Sequence, residues 1–444
     1  MLNHEPNIAV GIYEGRPHAR GRLNGHFWVN GSAATQGEFY FEVAQAQLVM
    51  RDIVGKELAR GGEIFCAPIS GGTFTLRDVT IGVQFHWERK EDQTFAGALH
   101  FLRRADGTMT AINEIPVEQY LKSVISSEMS AEAPMELLKA HAITSRSWLI
   151  AMLERQKKFK NIDVPSRRSR ETETEIIRWY DREDHRDFHV CADDHCQRYQ
   201  GLSKIISPAA AQGVEATRGV FLVYENEICD ARFSKSCGGV SEAFENAWED
   251  TPIPYLQPIS DAAIEHLLLR DAAQAEQWIL ASPEAYCNTT DVNILRQILP
   301  SFDQETTDFF RWKVEYSREE LEAILAAKSG INFGTLLELA PLQRGPSGRI
   351  IKLKIVGSEN SIVVGKELEI RRWLSKSHLY SSAFVVRAER DGKGVPTKFI
   401  LHGAGWGHGV GLCQIGAAVM ATKGFTAEEI VKHYFKNSAI KKLY

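Results

Sequence analysis

The chain has 444 residues, of which 44% are hydrophobic and 25% charged, a composition typical of soluble globular proteins. This length exceeds one ordinary hydrophobic core, so we expect two or three domains. The net charge of −5 gives no reason to expect nucleic acid or an anionic membrane as the main partner.

The first residues, "MLNHEPNIAVGIYEG", lack the basic segment, the apolar segment and the small-residue cleavage site of a signal peptide. No uninterrupted apolar stretch approaches the roughly 20 residues of a membrane span. From the sequence as given, we therefore expect a cytoplasmic protein without a membrane span.

Short runs of β-branched and aromatic residues, separated by Gly, Asn and Asp, predict a β-rich N-terminal region over residues 1–112. The run in the middle of this region partly alternates between the two faces of a strand, as a half-buried antiparallel strand should. The alternating residues are Thr73, Thr75, Val79, Ile81, Val83 and Phe85. The predicted strands lie in "NIAVGI", "GRLNGHFWV", "GEFYFEVAQ", "GTFTLRDVTIGVQFHW" and "GALHFLRR".

Two helices follow. The segment "EIPVEQYLKSVISSEM" places Pro116 at a first helical position, where its missing N–H costs nothing. A second helix opens near Pro134. The residues 154–188 are highly charged and predict a solvated loop or insertion, with a mobile flap over a cleft as the alternative. The predicted buried positions are Val117, Tyr120, Leu121, Val124 and Ile125 in the first helix and Leu138, Ala142 and Leu149 in the second.

The remaining segments complete an α+β architecture. Helices are predicted in "SDAAIEHLLLRDAAQAEQWIL" and "SREELEAILAAKSG", and strands in "GRIIKLKIVGSENSIVVGKELEIRRWL". Thr426, with Glu429 three residues later, forms a capping box that opens the last helix. We therefore expect a mixed α/β core made of residues 113–256 and 375–444, interrupted by a helical and then β insertion at 257–374.

The strongest local feature is the glycine-rich segment "HGAGWGHGVGLCQIGA", residues 402–417. Gly at every second position leaves one face of a strand without side chains, so that an extended polymer such as a glycan could approach the backbone. His408, Gly409 and Gln414 would then line a bare groove. The alternative is a glycine-rich turn packed against a helix, and a phosphate loop is disfavoured because no "GK[ST]" follows.

A second glycine pair lies in "RFSKSCGGVSEAF", residues 232–244. Gly238 and Gly239 follow Ser236 and Cys237, which predicts a tight backbone turn with small polar groups. Cys237 could act as a nucleophile, but no base for it is identified. A buried, merely small cysteine is the simpler interpretation.

Metal-ligating residues crowd into the segment "DHRDFHVCADDHCQRYQG". Thiolate and imidazole are ligands that zinc prefers, and tetrahedral sites use closely spaced pairs of them. Cys191 and Cys196 with His195 and His185 are the predicted ligands, although the five-residue step between the cysteines is not the familiar knuckle spacing. The alternative is a reduced cysteine pair with surface histidines. The odd total of seven cysteines argues against a disulfide framework.

A single carboxylate, Glu128, stands where the first helix ends, beside Met129. Acids at helix ends are usually solvated. A partly buried carboxyl group, however, can hold a proton near neutral pH and donate it to a leaving oxygen. Glu128 is therefore a candidate acid/base.

These residues resemble a known family. "YLKSVISSEMSAEAPMELLKAHAITSRSW" is similar to the signature helix pair of the stage II sporulation protein D family, and "FSKSCGG", "SGRI", "RRWL", "SSAF" and "GWGHGVGLCQIGA" resemble its later blocks in order. The resemblance spans about residues 113–444. It implies a peptidoglycan lytic transglycosylase of the cell wall that leaves a 1,6-anhydro end, with the glutamate before Met, Glu128, as acid/base.

The resemblance has further implications. Clostridial relatives hold zinc near the cleft, which would fall on the Cys191/Cys196 cluster, as a structural or cleft-adjacent ion that the chemistry does not require. The chain departs from the family at His141, usually Gln, and at Cys413, usually Ser or Thr. Relatives normally act outside the cytoplasm, whereas no export signal is present here, so a released glycan fragment inside the cell is an alternative substrate.

The implied chemistry needs one carboxylate, because the C6 hydroxyl of the sugar is a tethered nucleophile. The residues expected to contact the substrate, by holding N-acetyl groups and stabilising charge, are Arg146, Ser236, Cys237, Gly238, Gly239, His408, Gly409 and Gln414. A rival hypothesis is a non-catalytic glycan-binding protein or amidase activator, since the family includes amidase enhancers. A third is a zinc-dependent hydrolase built on the Cys/His cluster.

Overall fold

The computed structural model describes residues 2–82, 88–130, 133–159, 169–179, 185–193, 195–205, 208–266, 268–269, 271–299 and 306–444. Helices and several separate sheets both occur in these residues, which confirms the predicted α+β class. Among the helices described, none is long and apolar enough to cross a membrane.

The N-terminal region forms one large, mainly antiparallel sheet. Its strands run in the spatial order β1-β10-β9-β6-β2-β3-β4-β5, with β7 beside β2 and β8 beside β7. Each of the five predicted runs coincides with a strand, although residues 83–87 of the fourth run lie outside the described residues. The strands are β1 Asn7–Arg16, β2 His18–Val29, β3 Ala33–Ala44, β4 Gln47–Asp52, β5 Glu57–Gly61, β6 Glu63–Pro68, β7 Thr73–Ile81, β8 Arg89–Ala96, β9 Ala98–Arg103 and β10 Met109–Pro116.

The predicted alternation in β7 is wrong for its first half. The buried side chains are Phe74 and Leu76 rather than the threonines, and the Thr75 hydroxyl hydrogen-bonds that of Thr94 at 2.9 Å. A bulge between Leu76 and Val79 adds a residue, so that Val79 and the following Ile81 point into the core as predicted. An inserted residue changes which face each later side chain occupies.

The helix pair forms as predicted. All eight predicted buried positions of the two helices are fully buried. Pro116 is the residue preceding the first helix rather than its first residue. The elements are α1 Val117–Glu128, α2 Met135–Phe159, β11 Ser169–Glu171, β12 Glu175–Arg178, β13 Val190–Cys191, a 3₁₀ turn Gly201–Lys204, α3 Pro208–Ala216, β14 Val220–Tyr224, β15 Glu227–Ile228, β16 Phe233–Ser234 and α4 Phe244–Ala247.

The following region carries two helices, then a mixed set of strands and helices. One predicted helix opens as expected, with the Ser317 hydroxyl accepting from Glu320 N and Gly330 ending it in the left-handed conformation. The elements are α5 Ala272–Leu280, α6 Val292–Ile298, β17 Arg311–Ser317, α7 Arg318–Ser329, β18 Leu336–Arg344, β19 Ile350–Gly357, β20 Ser361–Gly365, α8 Glu367–Trp373, β21 Phe384–Arg390 and β22 Pro396–Ala404.

Three predictions in these regions are corrected. Residues 169–171 and 175–178 form strands rather than a solvated loop, because β11 pairs with β12 and β12 pairs in parallel with β20. Residues 260–266 are not helical, since the side chain of Asp261 is used in buried tertiary hydrogen bonds. Residues 367–373 form a helix rather than a strand, because Ile370 and Trp373 are buried at helical spacing.

The strands β17, β22 and β21 form one sheet, in that order. Its residues Trp312, Phe384 and Leu401 share a hydrophobic cluster with Leu353 and Trp373. Residues 384–404 therefore pack with the inserted region, and a domain division at residue 374 would cut this sheet.

The C-terminal segment returns to the core around the helix pair. Here β23 pairs in parallel with β16, and β24 pairs with β14. The predicted capping box of Thr426 and Glu429 is confirmed. One hydrophobic cluster unites the N-terminal sheet with α1, α2 and the last two helices. The elements are β23 Leu412–Cys413, α9 Gln414–Thr422, α10 Ala427–Tyr434 and β24 Ala439–Lys442.

Candidate active site and adjacent metal cluster

A cleft of about 380 Å³ lies where the end of α1, the Cys/His segment, β16 and the glycine-rich segment meet. Three indole rings line it, those of Trp148, Trp248 and Trp406, which offer flat apolar surfaces. Polar and charged side chains stand between the rings. A partly apolar cleft with a few polar groups is the usual form of a small-ligand site.

Glu128 stands in the wall of this cleft. It is the last residue of α1, half-buried, and its Oε1 accepts a hydrogen bond from the backbone N–H of Arg198 at 3.0 Å. The neighbouring Ser127 and Met129 are buried and fix the end of the helix. The carboxylate is therefore held in place yet faces the cleft.

His408 and Gln414 also line the cleft. Burial, together with the nearby arginines, lowers the pKa of His408 well below its usual value, so the ring is neutral at pH 7. Its Nδ1 accepts from the N–H of Val410 at 3.0 Å, and its ring meets Trp248 edge to face at 4.7 Å. Nδ1 thus lacks a proton, and the neutral ring carries its proton on Nε2.

Gln414 is fixed from behind by the buried residue His141. The two side-chain nitrogens are 2.9 Å apart, and the other ring nitrogen of His141 lies 3.1 Å from the hydroxyl of Ser145. Burial and the charge of Lys235 lower the pKa of His141 to about 3. The neutral imidazole can therefore accept the amide hydrogen of Gln414.

A set of cations in the cleft was missed by sequence reasoning. Arg232 packs its guanidinium over the ring of Trp248, 4.3 Å from the centroid, and is paired with Asp230 at 2.9 Å. Arg198, Lys235 and Arg371 also line the cleft. Two of the four lie in the quoted segment "RFSKSCGG", which was read for its glycines instead of its charges.

The predicted role of Arg146 in substrate binding is wrong. Its side chain has 0% exposure and is paired with the buried Glu118, with N–O distances of 2.9 and 2.7 Å. The cause is helical spacing: Arg146 lies four residues after Ala142 and three before Leu149, on the stripe of α2 that faces the core. The ion pair joins α1 to α2 inside the protein.

The four residues Ser236, Cys237, Gly238 and Gly239 lie behind the cleft wall, which corrects their predicted contact with substrate. Ser236 and Cys237 are buried, and the carbonyl of Gly238 accepts from the Arg311 guanidinium at 3.1 Å. The lining is supplied by the preceding residues 233–235. The predicted tight turn exists, but it faces the interior.

The glycine-rich segment is not a bare strand. Gly405, Gly407, Gly409 and Gly411 all have positive φ, from 72° to 92°, which L side chains rarely adopt. A Cβ on Gly409 would overlap the guanidinium of Arg349, so the protein itself fills the predicted groove there. Gly407 lines the cleft, whereas Gly409 is buried behind it.

The four predicted metal ligands come together at the edge of the cleft, and we name them the Cys/His cluster: His185, Cys191, His195 and Cys196. One ligand atom from each lies within 4.8 Å of the others. His185 Nε2 is 3.3 Å from Cys196 Sγ, and His195 Nδ1 is 3.5 Å from the same sulfur. Two sulfurs and two imidazole nitrogens at such spacing fit a tetrahedral zinc ion.

The backbone of the Cys/His cluster is tied to other parts of the fold. Cys191 belongs to β13, which pairs in parallel with β1 opposite Gly11. Two residues after Cys196, the N–H of Arg198 holds Glu128. Hydrogen bonds from Cys196 and the two histidines lower the pKa of Cys191, which favours the thiolate that a metal requires.

The chain is similar in sequence to several known proteins. Residues 105–224 match the family model described as Stage II sporulation protein, and residues 242–411 match one described as Domain of unknown function (DUF8618). An uncharacterised protein of Brachyspira hyodysenteriae is 26% identical over 77% of this chain and 70% of its own length. The Stage II sporulation protein D of Bacillus amyloliquefaciens is 25% identical, over 73% and 74%. The Amidase enhancer of Bacillus subtilis is 22% identical over 72% of this chain and 40% of its own length.

Proposed function

Because the chain belongs to the stage II sporulation protein D family, we propose that it acts on the cell wall as a peptidoglycan lytic transglycosylase. It would cleave the β-1,4 bond between N-acetylmuramic acid and N-acetylglucosamine and leave a 1,6-anhydro end. The observation that carries this proposal is the position of Glu128, a half-buried carboxylate that faces a cleft lined by indole rings and cations.

The chemistry needs one titrating group. Glu128 protonates the glycosidic oxygen as the bond breaks, and its carboxylate then takes the proton of the C6 hydroxyl, which closes on the anomeric carbon. The nucleophile is already part of the sugar, so proximity replaces the second carboxyl group that hydrolases use. The N–H of Arg198 orients Glu128 through one of its two carboxylate oxygens.

The other lining residues suit the substrate. Trp248 and Trp406 present flat faces to sugar rings, and Gln414 offers an amide to an N-acetyl group. The ring of neutral His408 packs against Trp248 and helps to hold that indole in the cleft wall. The cations Arg232 and Arg371 suit the lactyl carboxylate of muramic acid, which is the anionic group of a peptide-free glycan.

Zinc in the Cys/His cluster would be held by the thiolates of Cys191 and Cys196 and the imidazoles of His185 and His195. Four protein ligands leave no open position, which is the pattern of structural zinc sites. The ion would supply rigidity to the segment that carries Arg198, and the proton transfers of Glu128 do not pass through it.

The test is incubation of the chain and its Glu128→Gln variant with purified, peptide-free glycan strands, followed by mass spectrometry. We expect fragments lighter by one water than hydrolysis products, formed about 10²–10⁴-fold more slowly by the variant. Glu359→Gln, in an exposed hairpin turn, is the matched control and should keep full activity. Retained activity of Glu128→Gln would end the assignment.

An amidase activator is the second candidate, and the relative named Amidase enhancer supports it. It predicts no anhydro product from glycan alone but faster cleavage when a cell-wall amidase is added. The third hypothesis, a zinc-dependent hydrolase, predicts products that contain the added water and are lost on chelation. A cytoplasmic location and a released glycan fragment as substrate stay predictions.

A further inference from the structure

A second group of metal-ligating side chains lies behind the cleft, and we name it the buried cysteine cluster: Cys237, Asp261, Cys287 and Cys413. One ligand atom from each lies within 4.8 Å of the others. All four side chains are buried, with at most 2% exposure. Sequence reasoning missed this group, because its members are separated by up to 176 residues along the chain.

The sulfur spacing fits a metal. Cys237 Sγ and Cys287 Sγ are 3.7 Å apart, whereas a disulfide would require roughly 2.05 Å. Tetrahedral zinc with Zn–S bonds of roughly 2.3 Å places its sulfur ligands roughly 3.8 Å from one another. The third sulfur, Cys413 Sγ, accepts the backbone N–H of Cys237 at 3.3 Å. Such N–H donors to sulfur stabilise the thiolate form.

The carboxylate of Asp261 is also oriented by neighbours. Its Oδ1 accepts from the Tyr434 hydroxyl at 2.6 Å, and its Oδ2 accepts from the N–H of Cys287 at 2.9 Å. Its own backbone N–H donates to the carbonyl of Gly239 at 3.0 Å. Gly416 leaves room for these contacts, because a Cβ there would overlap the carboxylate and the hydroxyl. Metal-ligating carboxylates are held in this way by outer hydrogen bonds.

Charge supports a cation at this position. An isolated carboxylate buried away from water is strongly unfavourable unless a positive charge compensates it. Two guanidinium groups approach the cluster from outside, since Arg349 donates to the carbonyl of Cys237 at 3.0 Å and Arg311 to that of Gly238 at 3.1 Å. Their charge offsets the excess that three thiolates and a carboxylate would leave around a divalent ion.

We propose that the buried cysteine cluster binds a Zn²⁺ ion in a structural site of three thiolates and one carboxylate. With four protein ligands the site has no open position, so the ion would serve packing instead of chemistry. Cys413 immediately precedes Gln414 of the cleft wall, whereas Asp261 and Cys287 belong to the region that carries α5 and α6. The ion therefore fixes the cleft wall to that region, whether or not the chain cleaves glycan.

The test is the metal content of the full chain, purified under reducing conditions without chelator and measured by plasma mass spectrometry. We expect Cys287→Ser and Cys413→Ser each to hold one zinc equivalent per chain fewer than the unaltered protein. Cys66→Ser, a buried cysteine outside both clusters, is the matched control and should lose none. Equal metal content in all of these chains would overturn the proposal.

A variant of the other cluster keeps the test independent of folding defects in the buried one. Cys196→Ser leaves the buried cysteine cluster intact, so we expect this chain to retain one zinc ion whose X-ray absorption reports three sulfur neighbours and one oxygen. Absence of that ion would contradict the proposal. An intact mass two hydrogens below that of the fully reduced chain would likewise overturn it, by revealing a disulfide.

Discussion

The two clusters of metal-ligating residues are built in opposite ways. The Cys/His cluster takes its four residues from positions 185–196 and lies at the rim of the cleft, partly exposed. The buried cysteine cluster takes its residues from positions spread over 237–413, and none of them exceeds 2% exposure. One borders the cleft that Glu128 faces, and the other lies beneath the wall of that cleft.

The difference shows what local spacing can and cannot reveal. Four ligands within twelve residues are visible in the sequence, because a short loop can bring them together by itself. Cys237 and Cys413 meet because β16 and β23 pair in parallel, and Asp261 and Cys287 meet them through tertiary packing. Contacts between residues that lie far apart along the chain depend on the topology of the whole fold, so local spacing does not reveal them.

The largest expected effect is a loss of folding stability, which should be greater for a substitution in the buried cysteine cluster than for one in the Cys/His cluster. Asp261→Ala removes a buried ligand and leaves three sulfurs and Tyr434 without their partner, so we expect the free energy of unfolding to fall by about 3–5 kcal/mol. His195→Ala, at the exposed rim, should cost about 1 kcal/mol. Urea-induced unfolding followed by circular dichroism measures both. A larger loss of stability in His195→Ala than in Asp261→Ala would contradict this prediction.

The next effect concerns the wall between the clusters, where His141 contacts Gln414, the residue after Cys413. The pKa of His141 is lowered to about 3 in the folded chain. As the pH falls below 6.5, the imidazole therefore takes up a proton in the unfolded chain and stays neutral in the folded chain. Stability is therefore lost as pH falls, by about 1.4 kcal/mol per pH unit.

We expect this group to contribute a loss of roughly 2.3 kcal/mol between pH 6.5 and 4.5, because the imidazole of the unfolded chain is already half-protonated at the upper pH. His141→Gln, with no titrating group, should be less sensitive to acid by that amount. Thermal unfolding at the two pH values measures the difference. The same acid sensitivity in both chains would show that His141 does not titrate in the way its surroundings imply.

A smaller effect tests whether the Cys/His cluster supports the reaction. Cys196→Ser should slow release of anhydro product by about 10–100-fold, because the segment that positions Arg198 and Glu128 loses its anchor. Binding of peptide-free glycan should change less than the rate, since the lining rings are unchanged. Cys66→Ser serves as control. An unchanged rate of product release in Cys196→Ser would show that the Cys/His cluster does not support the reaction.

The smallest effect is kinetic. In the chelator-treated chain, Cys191 and Cys196 should react with iodoacetamide at least about tenfold faster than the three buried sulfurs, because alkylation of the latter requires local opening. Peptide mapping by mass spectrometry gives the rate at each cysteine. Comparable rates for both clusters would mean that the buried one is accessible to solvent.

Much of the fold near the reacting groups could be predicted from the sequence. Apolar residues at helical spacing placed the end of α1 at Glu128, and the pair Thr426 and Glu429 placed the start of α10. Both signals are local, because a helix repeats within a few residues. Five strands of the N-terminal sheet, β1, β2, β3, β7 and β9, were also found where β-branched and aromatic residues cluster, whereas β4, β5, β6, β8 and β10 and the bulges were not.

What the sequence did not reveal required knowledge of partners far along the chain. Arg146 looked like a ligand for substrate, yet Glu118 from the neighbouring helix neutralises it in the core. The alternating glycines looked like a groove for a polymer, yet Arg349 fills that space. The cations of the cleft, such as Arg232, are visible in the sequence. Which way their side chains point, however, is determined only by the tertiary structure.

The pairing of β13 with β1 has a practical consequence for this protein. The first strand of the N-terminal sheet holds the strand that carries Cys191, opposite Gly11. A shortened chain that starts at α1 would keep every signature motif and still lose the strand that pairs with the segment of Cys191. We therefore expect the opening residues to be needed for the geometry of the Cys/His cluster, although they contribute no residue to it.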